Sequence, residues 1–191
     1  AGTTSYGCSI SSPAHLALAL LDHPSALAEL RPGWRNMAVY YAAARGAGTG
    51  SVRRVPGFRD PLVRYRVGAD DLDELTRGLK TLCELLFAAG AVRLYPAVAG
   101  LGPFSEPGEL RGLPERLSPE TLRLITIHLF GSTPMGEKRS LCAADSFGKL
   151  HGHENIFVSD ASLLCGAPGV NPQGTIMALA RRNALKFLGK L

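Results

Sequence analysis

Leu72, Leu75, Leu79, Leu82 and Leu86 recur at alternating steps of three and four residues, which puts all five on one stripe of an α-helix. Asp70 or Asp71 supplies a cap at its start and Gly90 a stop at its end. The segment just before it has another period. Leu62-Val63-Arg64-Tyr65-Arg66-Val67 alternates apolar and polar residues, as a half-buried strand does. Ser51-Val52-Arg53-Arg54-Val55, across a turn-rich stretch from Pro56 to Pro61, provides an antiparallel partner with one wet face. A hairpin followed by such a helix predicts that the helix covers the dry face of the sheet, an α+β arrangement.

The flanking segments are read by their breakers. Ser12-Pro13 opens a short helix through Leu21, with Ser12 as N-cap and Pro13 at the first helical position. Pro24 to Leu30 is a second helical candidate, closed by Arg31-Pro32-Gly33, and the apolar Trp34 to Ala44 is open to strand or helix, with a strand around Met37–Tyr41 preferred. Residues 96–118 carry Pro96, Pro103, Pro107 and Pro114 among several glycines, and a loop this long is usually a lid, an entrance or an insertion. Ser118-Pro119-Glu120 starts a short helix that delivers Ile127-His128. A last helix runs from about Gly174 to Leu188 and buries Ile176, Leu179 or Ala180, and Leu188. Arg181, Arg182, Lys186 and Lys190 fall toward its end, where cations oppose the macrodipole.

Composition excludes several classes. With 191 residues, 46% hydrophobic and 19% charged, the chain can bury the core of one domain or one and a half. The net charge of +5 is scattered: residues 51–100 hold eight Lys or Arg against six acids, and residues 101–150 six against six. No basic stripe forms, which argues against nucleic acid. The apolar run Leu16–Leu21 is far too short to span a bilayer. Cys8, Cys83, Cys142 and Cys165 show neither a C-x-x-C pair nor zinc spacing. A reducing compartment, the cytoplasm in the first place, is the simpler reading, and a Cys142–Cys165 bridge stays open. The start at Ala1, without Met or a basic leader, is read as a trimmed terminus.

Three places could carry chemistry. His128 precedes Gly131, where the backbone can turn into a cleft, although a lone histidine is more often a satisfied core residue. Asp160 ends the apolar run Ile156-Phe157-Val158, read as a buried strand, and ligands of open α/β sheets bind beyond strand carboxyl ends. Taken alone, Asp160 is equally an Asx-turn. Asn171 stands before Pro172, which is pre-set for a helix's first turn, and alone it reads as an N-cap. Gly46-Ala47-Gly48-Thr49-Gly50-Ser51 resembles a dinucleotide fingerprint, but it leads into a strand rather than a helix and lacks the third glycine. His151-Gly152-His153 has no accompanying carboxylate or cysteine cluster, which makes metal binding there the weaker reading. Arg53, Arg54, Arg64 and Arg66 read as the wet face of the sheet.

Taken in order, His128-Leu129-Phe130-Gly131-Ser132 with Pro134-Met135-Gly136, then Asp160-Ala161-Ser162, then Gly169-Val170-Asn171-Pro172-Gln173 resemble the carboxy-terminal signature of the glucose–methanol–choline (GMC) flavin oxidoreductases. The family pattern is His-Pro-x-Gly-Thr followed shortly by Met-Gly. Here Leu129 stands for the proline and Ser132 for the threonine. The resemblance implies an α+β and α/β fold, with an antiparallel substrate-domain sheet covered by helices and the last strand and last helix of an FAD-binding domain. It implies FAD as cofactor, His128 and Asn171 as the catalytic pair, Asp160 and Ala161 near the flavin's ribityl chain, and Pro172 and Gln173 at its pyrimidine end. Asn at position 171 is similar to the sterol and long-chain-alcohol branches. Residues 1–49 are assigned to helices and a strand of the substrate domain, 50–125 to its substrate-binding part and 126–191 to the active-site and FAD-contacting segment. The amino-terminal FAD-binding unit is expected on another polypeptide. The implied activity is oxidation of an alcohol, and the apolar, Pro/Gly-rich loop at 96–117 together with Asn171 inclines the substrate toward a hydrophobic or bulky one. The alternatives are a hydroxynitrile-lyase-like enzyme with structural FAD, or a non-catalytic partner subunit.

Overall fold

A computed structural model describes residues 4–126 and 128–191. It divides into two compact units, Ala1–Ser51 with Val63–Leu124, and Val52–Leu62 with Ile125–Leu191. The secondary structure is α+β, with two small antiparallel sheets and helices.

The first unit is organised by the helix that the leucine stripe predicts. It spans Ala69–Ala88 and is labelled α3, after α1 (Pro13–Ala19) and α2 (Leu27–Gly33). Gly68 is its N-cap, and Asp71 in the third helical position accepts the Gly68 N–H at 3.1 Å. The capping acid therefore works from inside the first turn. At the other end Gly90 at φ 94° donates to Phe87 O and Ala91 donates to Leu86 O, the pair of bonds that closes a Schellman end. The buried face carries Leu72, Thr76, Gly78, Leu82 and Cys83.

Strands β1 (Ser5–Cys8) and β2 (Tyr40–Ala43) pair antiparallel with Ser5 opposite Ala43 and Cys8 opposite Tyr40. It is against this sheet that α3 packs. A Cβ at Gly78 would lie 2.9 Å from Thr4 Cγ2 and 3.3 Å from Ala42 Cβ, so only glycine lets helix and strand approach this closely. The expectation that α3 covers the hairpin of β3 (Gly50–Arg53) and β4 (Leu62–Tyr65) is therefore corrected. Every residue of β4 is exposed. Its alternation marks two wet faces, because Val63 and Tyr65 on one side and Leu62 on the other all meet solvent. Arg53, Arg54, Arg64 and Arg66 are exposed as expected.

The proline-rich stretch after α3 is also corrected. It is a strap built into the core. Leu94, Phe104 and Leu110 pack with Cys83 of α3, Val98 is buried beside its bridge to Leu122, and Leu117 is 1% exposed. Thr76 fastens the strap: its hydroxyl donates to Leu72 O and accepts the Leu117 N–H at 2.9 Å. Burial among these side chains pushes the Cys83 thiol up to about 11, so it stays protonated and inert. Ser118 closes one turn, with Leu122 N–H on its carbonyl, in place of a short helix. Ile127 lies outside the described residues.

In the second unit the one long helix is α4, Gln173–Phe187. Its buried positions are Leu179 and Asn183, and Leu188, expected inside, is exposed because it lies past the helix end. Ile156-Phe157-Val158 does not form a buried strand. It makes a single bridge, Lys149 to Phe157. Ile156 and Phe157 are exposed, the Phe157 ring standing edge-on to Phe187 of α4 at 5.1 Å.

Candidate functional site

His128, Asp160, Ala161, Asn171, Pro172 and Gln173 all fall within the second unit. Its core is small: Ala144 and Leu163 are fully buried and Leu179 nearly so, with Met135, Val158 and Leu164 packed against them. Each of these side chains belongs to a segment that carries a motif or leads to one.

The loop after His128 is held by backbone bonds. Thr133 N–H donates to Ser162 O and Met135 N–H to Leu163 O, both at 3.1 Å. Gly136 N–H donates to Ala144 O at 2.8 Å. The Gly131–Gly136 segment therefore runs alongside the turn that begins at Asp160. That turn is a single 3-10 turn, Ala161–Leu163, with Asp160 as N-cap accepting the Ser162 N–H at 2.8 Å. Hydrogen bonds from Ser162, its hydroxyl foremost, hold the Asp160 carboxyl below the usual range. The Asx-turn geometry is thus present, with the carboxylate ionised and exposed at neutral pH.

Pro172 rather than Asn171 is the N-cap of α4, at φ −84°, and its carbonyl accepts Ile176 N–H at 2.8 Å. Pro172 is buried, and Asn171 and Gln173 on either side of it are exposed. The first turn of α4 contains no acid, and no side chain caps it. Its leading amides thus point outward without intrahelical acceptors. A Cβ on Gly174 would meet nothing within 4 Å.

His128 is exposed, which removes the reading as a satisfied core histidine. Its ring centroid lies 6.5 Å from that of Phe130. Among the described residues no hydrogen bond joins His128 to Asn171. The shared core brings together the segments that carry them, while both side chains stand in solvent. His151 Nε2 sits 3.0 Å from Gly136 O. A carbonyl can only accept, so this nitrogen carries the proton.

Two contributors escaped sequence reasoning. Asn183 is 6% exposed, on the same face of α4 as Ile176 and Leu179. A polar residue in an apolar stripe was the available signal. Arg182 donates to Ser146 O and to Asn183 Oδ1, and its guanidinium lies 4.9 Å from the centre of the Phe147 ring. The glycine-rich Gly46–Ser51 segment is also explained. Its Ala47 and Gly48 amides donate to the Asp71 carboxylate at 2.8 and 3.2 Å, which leaves them unavailable to a nucleotide phosphate.

Comparison with known proteins bears out the family resemblance. A family model described as GMC oxidoreductase matches residues 53–180. An uncharacterized GMC-type oxidoreductase of Sinorhizobium fredii is 41% identical over 93% of this chain and 35% of its own length. One from Mycobacterium tuberculosis is 37% identical over 82% of this chain and 24% of its own length. A long-chain-alcohol oxidase of Arabidopsis thaliana is 28% identical over 73% of this chain and 19% of its own length. The chain belongs to the GMC oxidoreductase family. It spans about a third or less of the length of these relatives.

Proposed function

We propose that this chain is the carboxy-terminal part of an FAD-dependent alcohol oxidase or dehydrogenase that converts a CH–OH group to a carbonyl. The observation that carries the reading is the packing of three motif-bearing segments on one small core, made by Ala144, Leu163 and Leu179. FAD, when bound, supplies the hydride acceptor. His128 takes the hydroxyl proton on a ring nitrogen, and the Asn171 carboxamide donates to the same oxygen and orients it. Positioning supplies much of the gain, since transfer needs reacting atoms in near contact and aligned.

The residues present suit a flavin. An acid-free helix start with unpartnered amides favours negative charge at the pyrimidine end. Pro172 has no N–H, so Gln173 and Gly174 are the donors there. Asp160 and Ala161 are assigned to the ribityl chain. The rest of the cofactor site is assigned to an amino-terminal FAD-binding domain, in the part of the relatives' length that this sequence does not span. Within this proposal residues 1–125 form the substrate domain and 126–191 the active-site segment. A hydrophobic alcohol is favoured by Asn171 and by the long-chain-alcohol oxidases among the relatives. The strap at residues 96–118 no longer contributes to that choice, because its apolar side chains are spent in the core.

Anaerobic mixing with alcohol tests the assignment. His128→Ala should slow flavin reduction by about 10²–10⁴-fold, and an unchanged rate removes His128 from the chemistry. Alcohol that fails to reduce the unsubstituted flavoprotein, with cyanohydrin cleavage intact, would transfer the protein to the lyases. A complex without flavin would make this chain a non-catalytic subunit.

A further inference from the structure

From Ile125 to Phe130 the chain carries one hydroxyl, on Thr126, and the imidazole of His128, and its other side chains are hydrocarbon. Ile125 is 86% exposed and Leu129 is 69% exposed. A single apolar residue in water is ordinary. Here two of them stand in the same short segment as the imidazole proposed to take the substrate's proton, and no acid, amide or cation accompanies them in it. Leu129 also departs from the family pattern, which has a proline after the histidine. A compact ring is exchanged for a longer, branched arm.

The segment is tied down just beyond these residues. Phe130 is half-buried, Gly131 turns the backbone at φ 74°, and Thr133 N–H donates to Ser162 O at 3.1 Å. Leu129 therefore stands next to His128 on a braced loop. An alcohol whose hydroxyl reaches the His128 ring brings its carbon atoms close to that neighbour, since adjacent residues are only about 3.8 Å apart at Cα. A hydrocarbon chain gains there by leaving water, up to about fourfold in affinity per methylene. A polyol would give up water from hydroxyls that find few partners in the segment.

We propose that Leu129, with Ile125, is a specificity-determining contact that selects alcohols carrying an extended hydrocarbon chain over short alcohols and polyols. This rests on the alcohol-oxidation reading above and names the residues that set its substrate.

Anaerobic flavin reduction in the flavin-containing protein tests it, with ethanol, hexanol and decanol as substrates and glucose as the polyol. The second-order rate constant should rise along the alcohol series and be lowest for glucose. Leu129→Ser should lower the decanol-to-ethanol ratio by about tenfold, the effect of removing one apolar contact, and Ile125→Ser should lower it by less. Leu129→Met keeps an apolar arm of similar volume and should keep the ratio. A flat series, glucose ahead of decanol, or a ratio that Leu129→Ser leaves as it was overturns the Leu129 assignment alone. So does a ratio that Leu129→Met lowers as far as serine does, since apolar surface is then not what the position supplies. If no alcohol reduces the flavin, the proposed function falls and the Leu129 assignment with it.

Discussion

The first unit hangs its core on a 20-residue helix, whereas the second wraps turns and single bridges around three buried side chains, one of them on a helix face. In the first, α3 meets a sheet and a strap, and its capping carboxylate also gathers a distant glycine-rich segment. In the second, order comes from backbone bonds between loops, such as Thr133 to Ser162 and Met135 to Leu163. His128, Asp160 and Asn171 all lie in the second. The contrast fits a general division: reactive side chains sit on loops, and loops keep their shape only where something rigid holds them. Here the rigid element is α4, and the contact is small.

That contrast can be broken by experiment, starting with the largest effect. Leu163→Ala removes a fully buried side chain from the smaller core and should cost about 2–5 kcal/mol. Hydrogen exchange should rise at residues 128–165 while the α3 amides stay protected, and equal loss of protection in α3 would mean that the two units melt as one.

Asp71→Asn is the matching test for the first unit, with an expected loss of about 1–3 kcal/mol and no change in flavin reduction. The Ala47 amide foremost, then those of Gly68 and Gly48, hold the Asp71 carboxyl below its usual 3.8 against the opposing effect of burial. A carboxyl depressed in the folded state stabilises fully above its unfolded value and ceases to do so as pH falls through the folded one. Acid unfolding of this unit should therefore steepen below about pH 3.8, and the asparagine variant should lose that component. The smallest effect is expected from Arg116→Ala. It breaks the Asp73–Arg116 pair, which is largely exposed, and should leave Tm within measurement error.

What could be read in the sequence follows from where the information sits. Helix α3 was legible because its leucines repeat with a helical period, and α4 because Asn171-Pro172 precedes a similar stripe. The hairpin was legible as a pairing but not in its exposure, since alternation shows which residues share a face and not what lies over it. Leu94, Val98, Phe104, Leu110 and Leu117 have no period at all, so the strap passed for a loop. Ile156-Phe157-Val158 was misread because a run of three apolar residues carries no direction. The motif residues were legible only through their order along the chain. Asn183 was hidden because polar residues on a helix are ordinarily assigned to the wet side.

The ribbon of β3 and β4 has a consequence for handling the protein. Val52, Val63 and Tyr65 are each more than half exposed, on two strands whose outer edges carry unsatisfied amides and carbonyls. Such an edge is adhesive toward its own kind. The arginines at 53, 54, 64 and 66 keep copies apart by like-charge repulsion, which fades once salt brings the screening length down to about 10 Å or less. Dilute, low-salt buffers are therefore the ones in which this polypeptide stays dispersed.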